Sequence, residues 1–149
     1  MQCAGLRTTL LALGAALALL LLASGCGDLS RGELSRGVES LSALAAQGGL
    51  IADGVAEDAT KSTYARVMAK TLGGSAEHEA EKLADAEPED AVEKERGQAV
   101  AVAREIAELF SELQTYPGDE RHGAVVQKHM AEAKDQADAI AEKLAGEEQ

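Results

Sequence analysis

The side chains of this chain best suited to acid–base or metal chemistry are three imidazoles, His78, His122 and His129. His122 and His129 stand seven residues apart, a spacing that puts them on one face of a helix, two turns from each other. Asp119 precedes His122 by three residues. Helical bundles that hold two irons use Glu-x-x-His twice, mid-helix, with further inward glutamates. Here the pattern occurs once, at the start of a segment, and Val126 occupies the position that would continue a polar interior. His129 adjoins Met130 at the flank of an apolar seam, so surface histidines are the expectation. A metal- or haem-binding bundle using His122 and His129 is the alternative, although Cys-x-x-Cys-His for covalent haem is missing. Residues 77–95 are dense in carboxylates but lack the Asp-rich, Gly-turned spacing of a calcium loop, and read as a solvated acidic face. There is no nucleophile–base pair, phosphate-cradling glycine loop or zinc-protease motif, so the chain is expected to be neither an enzyme nor the carrier of a resident cofactor.

The two thiols, Cys3 and Cys26, have a different context. Residues 1–7 carry one positive charge, residues 8–23 form an uncharged run of mostly Leu and Ala, and Leu22-Ala23-Ser24-Gly25-Cys26 follows. Small residues before a cysteine, directly after a short apolar run, resemble the bacterial lipoprotein signal. Order, length and spacing agree, with Ala23 where Leu is commoner. The resemblance covers the leader alone and implies that residues 1–25 are removed and Cys26 is lipidated. The mature chain would then be extracytoplasmic and anchored to the cell membrane by lipid. Gly27 in place of Asp after the cysteine leaves outer-membrane sorting open in a Gram-negative cell. The apolar run is shorter than the roughly 20 residues that a membrane span prefers. With Cys3 in the discarded leader and Cys26 blocked, no thiol is left for a disulfide or a metal.

The remaining chain must position whatever chemistry the histidines and aromatics offer. Its composition favours helix: aromatics are 2%, there is no Trp, and Ala, Leu, Glu and Lys are abundant. Four helical segments follow from period and punctuation. The first covers about residues 30–57 after an Asp28 or Ser30 cap, with Leu34, Val38, Leu41, Ala45, Gly48, Ala52 and Val55 stepping by four and three. The second covers about 61–85 after a Thr60 cap, with Tyr64, Met68, Leu72, Ala76, Ala80 and Leu83 on one face. The third covers about 88–115, starting at Pro88, a residue suited to a first helical turn. Its apolar set is Val92, Ala99, Val102, Ala103, Ile106, Phe110 and Leu113. Tyr116-Pro117-Gly118 breaks it, and Asp119 caps a fourth, whose seam is Val126, Met130, Ala133, Ala137, Ile140 and Leu144. Short connections make neighbours antiparallel. The expected fold is therefore all-α: an alanine-rich, up-down-up-down four-helix bundle over residues 30–149, after a cleaved leader (1–25) and a lipidated tether (26–29). Gly48-Gly49 and Gly73-Gly74 would let the first two helices approach closely, or else break one of them.

Charge narrows the partners. Loss of residues 1–25 removes only Arg7 from the 14 basic and 26 acidic residues, taking the net charge from −12 to −13. Phosphate backbones need a basic face, so nucleic acid is not expected, and a peripheral electrostatic grip on anionic lipid is equally disfavoured. The membrane partner would be held through the lipid anchor. If the tether is short, the first helix points outward, leaving the turn near Pro88 and the C-terminus near the lipid. Tyr64, Phe110, Tyr116, His122 and His129 would gather toward the far end. They are candidate contacts for an envelope protein, while the three aromatics are alternatively a plug closing the bundle; the heptad seam also admits self-association. The function expected is a non-enzymatic binding or structural module in the cell envelope.

Overall fold

The structure, a computed structural model, describes residues 29–146. Its chain forms α1 (Arg31–Ala56), α2 (Ser62–Asp85), a 3-10 turn (Asp90–Val92), α3 (Glu93–Thr115) and α4 (Glu120–Gly146). The four helices pack as an all-α, antiparallel up-down-up-down bundle, with α1 closest to α4 and α2 closest to α3. The leader, Cys26 and the Asp28 cap candidate lie outside the described residues.

Local chemistry sets the ends. Ser30 caps α1 through a reciprocal box: its hydroxyl accepts from the Glu33 backbone N–H (3.4 Å), and the Glu33 carboxylate accepts from the Ser30 N–H (3.1 Å). Thr60 does not cap α2. The cap position is Lys61, which makes no side-chain cap hydrogen bond. Thr60 instead turns its hydroxyl toward Gly54, into the space a Cβ there would fill. The connection closes with Asp58 in the left-handed region (φ 53°), while Ala59 and Thr60 both donate to the Gly54 carbonyl.

Pro88 does not start the third helix either; α3 begins five residues later. Pro88 forms an isolated parallel bridge with Leu29, flanked by two backbone hydrogen bonds. The Leu29 N–H donates to the Glu87 carbonyl (2.6 Å) and the Glu89 N–H to the Leu29 carbonyl (3.4 Å). Its neighbours supply the polar groups, so a proline without an N–H fits there at no loss. The Leu29 side chain is buried with the core.

Polar ties hold the register between helices. Ser42 donates to Asp138 (2.6 Å) and Gln127 to Asp53 (2.5 Å), both between α1 and α4. The α4 ammonium of Lys134 donates to the same Asp138 carboxylate (2.5 Å). Two arginines satisfy carbonyls at helix ends, which otherwise lack intrahelical donors. Arg96 donates to Leu83 and Ala84 (both 3.0 Å) at the end of α2, and Arg31 donates to Leu144 (3.2 Å) near the end of α4.

The core is built from Leu, Val, Ile, Met and Ala around one ring, Phe110. Every residue of the seams expected for the first, third and fourth helices is buried. On α2 the expected seam holds at Leu72, Ala76, Ala80 and Leu83, and the phase shifts only in the first two turns. Ala65, Ala69, Leu72, Gly73, Ala76, Ala80 and Leu83 face inward, Met68 is partly buried, and Tyr64 points out. The small residues win because α2 lies close to α3, leaving no room for a tyrosine.

Neither glycine pair breaks its helix, and the pairs do not pack on each other. A Cβ on Gly48 would lie 2.6 Å from Met130 Cε and 3.0 Å from Phe110 Cζ; one on Gly73 would lie 3.1 Å from Phe110 Cβ. Gly48 makes room for the Met130 thioether and the edge of the Phe110 ring, and Gly73 for the base of the Phe110 side chain. The close backbone approach occurs elsewhere: a Cβ on Gly123 would meet the Ala56 nitrogen at 2.7 Å and the Ala52 carbonyl at 2.9 Å.

Two substitutions of one chemistry should therefore differ in sign. Gly123→Ala forces backbone apart and should cost about 1–3 kcal/mol, the usual range for overpacking. Gly74→Ala meets nothing within 4 Å and should gain up to about 1 kcal/mol from helix propensity. Urea unfolding of the three proteins measures both.

Candidate functional site

At one end of the bundle, the α1–α2 and α3–α4 connections lie side by side, a Cβ on Gly118 reaching 3.4 Å from the Ser62 Cβ. Asp119 builds this end, as its sequence position suggests. Its carboxylate accepts the His122 backbone N–H (2.9 Å), and its own carbonyl accepts from Gly123 (2.8 Å), starting α4. The same carboxylate oxygen lies 3.2 Å from His122 Nδ1. On the other side of the imidazole lies Tyr116, its ring stacked at 4.1 Å between centroids and 19° between planes. One acidic side chain thus caps the helix and lies beside the histidine–tyrosine stack.

The five residues singled out from the sequence separate. Phe110 is fully buried in the core beside Gly48 and Gly73, so it is not a contact residue. Tyr64 (56% exposed) and Tyr116 (45%) stay at the surface, so the three aromatics do not form one plug. His122 is partly exposed at the tip. His129, two turns along α4, is also partly exposed and pairs with Glu132 (3.0 Å) in its own turn. His78 is exposed on α2, away from these.

Two further apolar residues are exposed. Val67 and Val125 are more than half exposed. Each lies three residues beyond a member of the group, Val67 after Tyr64 and Val125 after His122, and so extends its face by one turn. That spacing was visible in the sequence. Their exposure was not, because an isolated valine on an amphipathic helix reads equally as core.

The acidic stretch behaves as a solvated face. An open groove of about 400 Å³ between α2 and α3 is lined by Glu77, Glu81, Asp85 and Glu108 together with Arg104 and three alanines. Among the described residues, no group of three or more His, Cys, Asp or Glu side chains is arranged to hold a metal ion. Nor, among them, is any helix long and apolar enough to cross a membrane.

The hydrogen bonds at helix ends and along α4 hold three carboxyls below their ordinary range. Asp119 is lowered by the backbone and side-chain hydrogen bonds of His122, and Glu33 by those of Ser30. Asp138 is lowered by hydrogen bonds from Lys134 and then Ser42.

The protein is thus an antiparallel four-helix bundle with Tyr116 stacked on His122 at one end. Comparison with protein-family models, curated proteins and solved structures returns no match for the chain.

The lowered carboxyls give a signed pH dependence. Groups whose folded pKa lies below the unfolded value stabilise above the unfolded pKa, and that contribution is lost as pH falls through the folded one. For Asp119 the loss should therefore come below its ordinary 3.8. Asn also caps helices, so Asp119→Asn should keep the melting temperature near neutral pH close to that of the parent. It should also make the decline below about pH 4 shallower, as seen by circular dichroism melts across pH.

Proposed function

We propose that this chain is a lipid-anchored, extracytoplasmic lipoprotein whose bundle is a non-enzymatic module. It carries a contact surface for an envelope partner at the end away from the anchor. The observation that carries this reading is the placement of two features at opposite ends. Leu29, three residues after Cys26, is hydrogen-bonded to the α2–α3 connection. Tyr64, Tyr116 and His122 lie at the other end, along an α1 of 26 residues, or about 40 Å at ~1.5 Å rise per residue.

The chemistry of that end suits a protein partner. Tyrosine buries a large apolar face while keeping a polar tip, and loses little conformational freedom on binding. Tyr116 is already oriented by its stack on His122. A partner touching it meets a stacked ring and imidazole rather than a mobile chain. The net negative charge of the whole favours partners with a basic contact face.

The anchor is tested by growing cells that express the full chain with labelled palmitate. The parent should incorporate label and sediment with membranes, and Cys26→Ser should do neither; unlabelled parent protein would overturn the anchor. The contact surface is tested by crosslinking in native membranes with mass spectrometry. Tyr116→Ala should reduce capture of the crosslinked partner by tenfold or more, the scale of a tyrosine hot spot, with an unchanged melting temperature. Loss of stability with unchanged capture would assign the ring to packing instead.

A further inference from the structure

The charges of α2 are divided along its length and run against its own dipole. From Lys61 to Ala76 it carries Lys61, Arg66 and Lys70 and no acid. From Glu77 on it carries Glu77, Glu79, Glu81 and Asp85, with Lys82 as the cation among them. A helix favours acids in its first turn and cations in its last. The first turn of α2 has no acid, and its last residue is Asp85. Lys82 pairs with Glu79 (3.1 Å), beside Gly37 of α1. Arg66, Lys70, Glu77 and Glu81 take part in no ion pair among the described residues. Glu57 and Asp58 precede Lys61 in the connection, and the polar group of α3 near Gly73 is the Gln114 amide.

These unpaired charges share one side of the helix. Val67, Lys70, Gly74, Glu77 and Glu81 step by three and four and are all exposed. Arg66, also exposed, is three turns before Glu77 and so lies on the same side as that carboxylate. At the middle of the stripe a Cβ on Gly74 would meet nothing within 4 Å, leaving the backbone open to close approach. Beside Glu77 and Glu81 opens the groove of about 400 Å³ between α2 and α3, floored by Ala80, Ala84 and Ala107 and holding Arg104 against four carboxylates.

The stripe is its own complement. When a second α2 is turned end over end about a two-fold axis level with Gly73 and Gly74, Arg66 stands opposite Glu81 and Lys70 opposite Glu77. Val67 comes level with Ala80. We propose that this face of α2 is an interface between two copies of the chain, crossed antiparallel at Gly74, with these charges paired twice over. Such an axis sets the α3 side of one copy against the α3 side of the other, so each Arg66 lies over a groove. Its methylenes cover alanine while its guanidinium meets carboxylates. A self-complementary patch of this kind closes at two copies. In a parallel pair, Arg66 and Lys70 would face their own kind. Copies held the same way up in one membrane therefore cannot form the pair, and copies on facing surfaces can.

Sedimentation velocity of the purified full chain in a nonionic detergent reads the pair, whether or not Cys26 carries lipid. The parent should run as a dimer at tens of micromolar and as a monomer near 1 M salt, where screening falls to about 3 Å. Arg66→Glu combined with Lys70→Glu should be monomeric, and so should Glu77→Lys combined with Glu81→Lys. An equimolar mixture of the two should restore the dimer, because every reversed charge then meets its opposite. Circular dichroism checks that both fold. Gly74→Gln, a better helix former at an open position, tests the crossing independently and should weaken the pair by about tenfold or more through overpacking. A parent that stays monomeric, a dimer indifferent to both reversals, or a mixture that remains monomeric overturns the proposal.

Discussion

A core this poor in large side chains is stable only if its helices come close, and the rest of the structure follows from that constraint. Dispersion and apolar burial fall off steeply with a gap of even an ångström. Alanine contributes only when the facing backbone is near. The bundle meets this condition with two close pairs, α1 with α4 and α2 with α3. Gly123 lets the first pair touch backbone to backbone. Phe110 and Met130 fill the space that alanines leave between the pairs, with Gly48 giving way to both and Gly73 to Phe110.

Close approach has a polar counterpart. Antiparallel helices bring free carbonyls and N–H groups together at both ends, where each needs a partner. At one end, Arg31 and Arg96 cross to the carbonyls of neighbouring helices, and Leu29 adds its backbone to the α2–α3 connection. At the other end, Asp119 does the same work for α4 by accepting the His122 backbone N–H, beside the Tyr116–His122 stack. Side chains flanking the seam, Ser42 with Asp138 and Asp53 with Gln127, fix the register of α1 against α4. The two ends thus acquire different surfaces, one acidic and bonded to the incoming chain, the other aromatic. The proposed envelope role uses that difference: a module held at one end is most accessible at the other.

Much of this was legible in the residues. Helix count, three of the four seams, the Ser30 and Asp119 caps and the antiparallel order follow from local periodicity and short-range hydrogen bonding, which depend on neighbours in the chain. Less of the candidate surface was legible. Spacing put Tyr64, Phe110 and Tyr116 toward one end of the bundle, but a ring's position along an axis does not fix which way it points. Phe110 went inside and the two tyrosines stayed out. Val67 and Val125 joined them at the surface for the same reason.

By itself, the sequence determined the elements and their order, because 3.6-residue periodicity, caps and breakers act within a few residues. Only the tertiary structure decided the phase of α2, the use of Gly48 and Gly73 as room for Phe110, and the departure of Pro88 from its helix into a bridge with Leu29. Each depends on the distance between segments far apart in the chain. That distance is set by how closely alanine-lined helices can pack, a quantity no local pattern contains.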